Sequence, residues 1–366
     1  MKKIFVILLV FTIFLISGCG GEEFSNSLGN SSKSKSVKPS ILQSKTESLS
    51  EQISQSSMSG LGEKSSTVTS EKGDSLGGEN SQKSLNKSIN SKNSQSSAEN
   101  SSSQSIESQP PVLGVWWWSD SLDDSYYNFV ISRGVNEIYY CASDFSTQTY
   151  NFIKRANQNG VKVYWLAGEY EWAENSENLY KKLNLFLQYQ KAYPDGKFAG
   201  VHLDIEPHQN PKWKGTTKES PIRITLVQQL IDLAVKVKAD FPLLNVSYDL
   251  PFWLDYEIKL NGETKIAYEA MIDVADKVFL MSYRDTADGI YSVSSQEIEY
   301  AKKVNKSVYL GIETYSSEGD NVSFWEEGEA VMLSEMDKLR DMVDKNFGLS
   351  VHHAKRWLEL ANKTVE

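Results

Sequence analysis

From Pro111 onward the sequence predicts a (β/α)8 barrel, and three observations predict it. Short apolar runs rich in Val, Ile, Leu, Tyr and Trp alternate eight times with segments whose apolar residues recur at helical spacing. Connections from helix to strand are short and those from strand to helix are longer, the pattern of a parallel sheet closed on itself. The stretch is about 255 residues long, the usual size of one such barrel. An open, doubly wound sheet is the competing arrangement, but no glycine-rich phosphate loop follows the first strand.

The first strand is expected at 112–118, followed by a helix over 123–133 that Gly134 ends. The second strand, 135–142, leads into a helix carrying Phe152, Ile153 and Ala156 and closed by Asn159-Gly160. Strand three is expected at 161–167, and its helix, 179–193, stops at Pro194-Asp195-Gly196. Strand four, 198–207, precedes a long helix at 222–239 with Leu226, Leu230, Leu233, Ala234 and Val237 on one side. Strand five at 244–250 and a short helix at 268–274 come next, then strand six at 277–283 and a helix at 295–304. Strand seven at 307–313, a helix at 326–345, strand eight at 348–353 and a closing helix at 354–362 complete the series.

Residues 1–18 have the form of a secretory signal. Lys2 and Lys3 precede an apolar run over 4–16 and then Ser17-Gly18-Cys19, a charged start, an apolar stretch and a small-residue cleavage site. The run is too short for a comfortable spanning helix. Ile16-Ser17-Gly18-Cys19 resembles the lipobox of bacterial lipoproteins, which implies lipidation (palmitate) of Cys19 as the mature N-terminus. The chain would then sit on the extracytoplasmic face of the cell membrane, with the lipid bilayer as a partner. Cys141, the second of two cysteines, is then left without a partner in the chain and is expected to be reduced and buried.

Residues 19–110 are serine-rich, and their only aromatic residue is Phe24. Such a composition buries too little apolar surface to offset the entropy of ordering, so a disordered tether is expected. All nine tryptophans and all eighteen tyrosines lie beyond it, in the domain spanning 111–366. Most of the net charge of −10 lies there too, which argues against nucleic acid as a partner. Oligomeric state is left open by the sequence.

In barrels of this kind functional residues gather at the C-terminal ends of the strands. Strand one ends in Trp116, Trp117, Trp118 and Asp120, strand two near Ser143 and Asp144, and strand three in Glu169. Strand four ends in Asp204 and Glu206, and strand five in Tyr248 and Asp249 with Trp253 beyond. Strand six ends in Tyr283, Arg284 and Asp285, strand seven in Glu313 and Tyr315, and strand eight in His352 and His353. Successive side chains alternate along a strand, so His202, Asp204 and Glu206 share one face, opposite Val201, Leu203 and Ile205. Folding has no need of such an acidic ladder, since buried carboxylates cost energy unless paired. Flat aromatic faces pack on sugar rings while carboxylates bond to hydroxyls, so the expected substrate is a carbohydrate. Trp116, Trp118, Tyr248, Asp249, Asp285 and Trp357 are the expected binding set.

The segment 199–206, Ala-Gly-Val-His-Leu-Asp-Ile-Glu, resembles the Asp-Gly-x-Asp-x-Asp-x-Glu signature of chitinase-like, family 18 glycoside hydrolases. The segment 278–285 is similar to that family's sixth-strand Met-x-Tyr-Asp segment, with Arg284 inserted between Tyr283 and Asp285. Ala199 and His202 stand where the signature has its first two aspartates, and strand one carries no matching feature. The resemblance spans about 112–357 and implies a substrate acetamido group as nucleophile, without a cofactor or metal. Glu206 would then be the general acid/base, Asp204 would orient the acetamide and tune Glu206, and Tyr283 would bond to the acetamide. Two acids side by side have physical sense, because like charges push one pKa upward.

A second mechanism pairs Glu206 with Glu313 as a nucleophile at the end of strand seven. Two carboxylates need about 5–5.5 Å between them for retention and roughly 6.5–9.5 Å for inversion. Enzymes of that kind usually carry Asn before the strand-four Glu, where Ile205 stands here, so this mechanism ranks second. Two further classes remain: a catalytically inactive carbohydrate-binding barrel, which His202 favours, and a metal-dependent hydrolase. The latter would use His202, Asp204 and His352 or His353, but no recognisable ligand spacing supports it.

Overall fold

A computed structural model describes residues 111–119, 121–316, 318–319 and 321–363. The expected signal peptide, Cys19, the tether and Asp120 lie outside the described residues. In chain order the strands are β1 (Leu113–Trp117), β2 (Glu137–Tyr140), β3 (Lys162–Ala167), β4 (Gly200–Leu203), β5 (Val246–Pro251), β6 (Glu257–Leu260), β7 (Glu263–Ile266), β8 (Lys277–Met281), β9 (Val308–Glu313) and β10 (Gly348–His352). The helices are α1 (Asp124–Ser132), α2 (Thr147–Gln158), α3 (Glu177–Ala192), α4 (Pro221–Asp240), α5 (Ala267–Val274), α6 (Ala287–Lys303), α7 (Glu329–Met342) and α8 (Ala354–Asn362).

β1 to β5 and β8 to β10 form one closed barrel, each parallel to the next, with β10 returning to β1. The (β/α)8 expectation holds for all eight units. Helix starts follow ordinary capping chemistry: Asp123, Ser146, Ser220 and Thr286 each accept a hydrogen bond from a backbone N–H in the first turn. The departures are local. α6 begins eight residues ahead of the expected helix, and α7 is shorter at both ends. An antiparallel hairpin, β6–β7, interrupts the connection between β5 and α5. Its turn, Asn261-Gly262, has positive φ at both residues, 52° and 85°, the Asn-Gly geometry of a two-residue hairpin.

The alternation of the strands divides the apolar residues into two cores. Val115, Trp117, Ile138, Val201, Leu203 and Leu310 face outward into the layer between strands and helices. Trp116, Tyr139, Cys141, Tyr164, Leu166, Phe279 and Tyr309 fill the barrel itself. Cys141 is buried as expected. At the N-terminal end of the barrel Lys277 bonds to both oxygens of buried Glu137, at 2.7 and 2.6 Å. The Tyr164 and Tyr309 rings lie 4.8 and 4.9 Å from the same ammonium, so the charge is paired and shielded at once.

Candidate active site

The C-terminal end of β4 supplies the central pair. Regular pairing stops at Leu203, yet the chain stays extended through Glu206, at φ −104° and ψ 95°. Pro207 then opens a short 3-10 turn, Pro207–Gln209. Ile205 is buried in the outer core, so Asp204 and Glu206 continue the inward alternation that His202 begins. The backbone of Asp204 is fixed from β3, its N–H donating to the Ala167 carbonyl at 3.0 Å. Gly168 lets the two chains approach this closely.

Asp204 and Glu206 share a side-chain hydrogen bond. Burial pushes the Asp204 carboxyl well above the usual carboxylate range, and the charges of Glu206 and Asp249 push it further. Asp204 is therefore the protonated partner and donates to Glu206. For Glu206, burial alone would raise the pKa; the hydrogen bond and charge of His208, aided by Gln209 and Asp204, outweigh it and hold the group below its ordinary value. The contact with His208 is direct, Nε2 to Oε2 at 2.7 Å.

His202 lies below this pair, fully buried. Its Nε2 is 2.7 Å from Asp249 Oδ2 and its Nδ1 is 2.9 Å from Ser247 Oγ. Tyr139 stacks on the ring at a centroid distance of 4.4 Å. The Trp116 indole N–H donates to Asp249 Oδ2 at 3.1 Å. Both imidazole nitrogens are thus committed to protein groups, which answers the metal reading for His202. Among the described residues, no group of three His, Cys, Asp or Glu side chains is arranged to hold a metal ion.

Tyr283, in the loop after β8, joins the two halves of the mouth. Burial raises its pKa well above the usual value, and the charges of Glu313, Asp249, Asp204 and Glu206 raise it further. Its ring stacks on His352 at 5.8 Å. The phenol thus remains a donor among four carboxyl groups. On the far side, Glu313 accepts from the backbone N–H groups of Thr314 and Tyr315 at 2.7 and 2.8 Å and pairs through Oε2 with His352 Nδ1 at 2.8 Å. Glu313 thus accepts hydrogen bonds at both oxygens and holds His352 in place. The Trp118 indole N–H donates to His352 Nε2 at 3.0 Å. Burial would lower the proton affinity of that ring, but Glu313, Asp249 and Glu318 outweigh it and raise it.

Of the expected residues, Asp204, Glu206, Asp249, Tyr283, Glu313 and Trp118 come together at one mouth. Trp116 is 1 % exposed, so it offers no face to a sugar and instead holds Asp249. Two assignments are corrected. Tyr248 points outward from β5 into the layer beneath the helices. Trp357 is fully buried on α8, edge-on to Phe129 at 5.6 Å with its N–H on Glu329, and so is packing between helices. Asp285 lies half-buried in the loop after β8. Sequence reasoning missed His208. Its signal was available: a histidine two residues past the strand-four acid, beyond a proline that turns the chain back.

Fold and site together define a (β/α)8 barrel whose C-terminal mouth holds a hydrogen-bonded pair of carboxyl groups and a half-buried tyrosine. No family model matches the chain, and no curated protein matches it. Several solved structures are similar to this chain. The xylanase and alpha-amylase inhibitor protein from Scadoxus multiflorus is 11% identical, with 68% of this chain and 95% of that one covered and a TM-score of 0.42. The spore cortex-lytic enzyme SleL of Bacillus cereus is 13% identical over 70% of this chain and 75% of its own, with a TM-score of 0.41. A chitinase from Chromobacterium violaceum is 11% identical over 69% and 98%, with a TM-score of 0.40.

Proposed function

We propose that this chain is a glycoside hydrolase acting on an extracellular or cell-wall glycan, held at the membrane surface by a lipid on Cys19. The observation that carries the reading is the Asp204–Glu206 pair at the barrel mouth, one acid protonated and bonded to the other, beside the Tyr283 phenol. Glu206 would take up the proton that Asp204 holds in the bond between them, leaving Asp204 ionised, deliver it to the glycosidic oxygen and recover one from water in the second half of the reaction. Asp204 holds a proton next to Glu206 in a buried setting, where hydrogen bonds and charges act more strongly than in water. Tyr283 would donate to the acetamide oxygen of a 2-acetamido sugar, whose own oxygen attacks the anomeric carbon. The resemblance of 199–206 and 278–285 to the family 18 signatures supports this assignment of roles.

Asp249 gives the His202 substitution a physical meaning. The carboxylate absent from position 202 is supplied by the neighbouring strand, and His202 fixes its orientation. Oδ1 atoms of both Asp204 and Asp249 are buried without a hydrogen-bond partner, so a polar position between the strands remains open to a turned side chain or a substrate group.

The test is a panel of chromogenic glycosides and cell-wall glycan oligomers offered to the full chain, with turnover and binding measured together. Turnover that Glu206→Gln removes supports the enzyme. Binding without turnover favours the inactive carbohydrate-binding barrel, a reading that the hold of His208 on Glu206 keeps in play.

A further inference from the structure

We propose that His208 is a positioning residue for Glu206, and that its ring must release the Glu206 carboxyl before that group acts as an acid; this rests on the role proposed above for Glu206. His208 Nε2 lies 2.7 Å from Glu206 Oε2, and the two side chains are only 24% and 13% exposed. Whichever of the two atoms carries the proton, it lies between them and is not directed at a glycosidic oxygen. Glu206 also shares a hydrogen bond with the Asp204 carboxyl, so two side chains hold the acid.

The surroundings make this hold specific and releasable. The ring stands edge-on to Trp253 at 5.1 Å and to Trp213 at 6.4 Å, one from the loop after β5 and one from the turn Pro211–Trp213. Its Nδ1 is buried without a hydrogen-bond partner, so Glu206 is its hydrogen-bonding anchor. A substrate that brought its own acceptor or donor to the mouth would exchange one contact for another at little cost. The titratable groups that act on Glu206 are His208 and Asp204, and Tyr283 beyond β8 feels its charge. Of these, His208 makes the larger contribution that favours the ionised acid, through its hydrogen bond to the carboxylate.

The experiment uses the full chain with His208→Gln and His208→Leu. Glutamine keeps a neutral N–H donor near the position of Nε2, whereas leucine keeps only bulk. Carbon-13 NMR of the Glu206 carboxyl follows its titration, and thermal melting confirms that each variant folds. The titration is expected to move to higher pH in the order His208, Gln, Leu, and the alkaline limb of kcat/KM on a glycan substrate should move the same way. A merely structural role would lower kcat at every pH and leave that limb in place. A Glu206 titration unmoved in both variants overturns the proposal, whatever glycans are hydrolysed. A moved titration with no glycan turned over by the unaltered protein would instead remove the enzyme reading and leave the contact established.

Discussion

Gly168→Ala should damage the site without touching any group that does chemistry. Gly168 follows β3 directly. A Cβ built there would lie 2.5 Å from the carbonyl carbon of Asp204 and 3.0 Å from its Cα, and would overlap its carbonyl oxygen. Ordinary contact begins near 3.4 Å, and the opposing atoms are backbone, so no rotamer change relieves the clash. The ends of β3 and β4 must part by about 1 Å, and a misplacement of that size costs roughly 10²-fold in rate. Overpacking adds about 1–3 kcal/mol of destabilisation, which at roughly 2–4 °C per kcal/mol for a domain of this size is readily seen in a melt. Gly319→Ala is the matched control, since its Cβ would meet nothing within 4 Å. The assay is glycan turnover and thermal melting of both variants. Unaltered turnover and melting in Gly168→Ala would refute the close approach of the two strand ends.

Three other outcomes follow from the structure. Lys277→Met leaves the buried Glu137 carboxylate with Lys162 at 3.8 Å and the Tyr139 and Tyr164 hydroxyls, and should cost about 3 kcal/mol in denaturant unfolding, while the double variant with Glu137→Gln recovers much of it. Burial pushes Glu297 up from 4.5 to about 7. Its folded pKa exceeds the unfolded one, so the associated stability is whole below the unfolded value and is lost as pH rises through about 7. Glu297→Gln should therefore gain on the unaltered protein between pH 5 and pH 8 by up to roughly 3 kcal/mol, at about 1.4 kcal/mol per unit. An equal pH dependence of melting in both would count against a buried acid there. Finally, intact mass of membrane-extracted protein should show a lipid on Cys19. An unlipidated chain with Cys19 bridged to Cys141 would remove the anchor, because the sequence holds two cysteines.

The barrel was legible because its signals are local. Each strand is a β-forming run with a stop, and each helix repeats its apolar residues at helical spacing, so most bounds fall within two residues of expectation. Asn261-Gly262 carried the one hairpin signal left unused. The direction of side chains was harder to read. Tyr248 and Asp249 are neighbours, and only knowing which one faces inward separates a buried outer residue from a member of the site. Trp357 sits on a helix, where an aromatic residue is packing, and its nearness in sequence to strand eight gave no sign of that. Partnerships across the barrel were beyond reach: His202 with Asp249, His352 with Glu313 and Gly168 against Asp204 depend on register between strands far apart in sequence.

The most direct test of the central claim is the rate of glycoside hydrolysis by Glu206→Gln against leaving groups of different quality. A general acid matters most when the departing oxygen is a poor leaving group, so kcat should fall about 10²–10⁴-fold on a natural glycan bond. It should fall much less on a glycoside of an acidic phenol, with melting unchanged. Equal activity of the variant and the unaltered protein on the natural bond would contradict Glu206 as the acid.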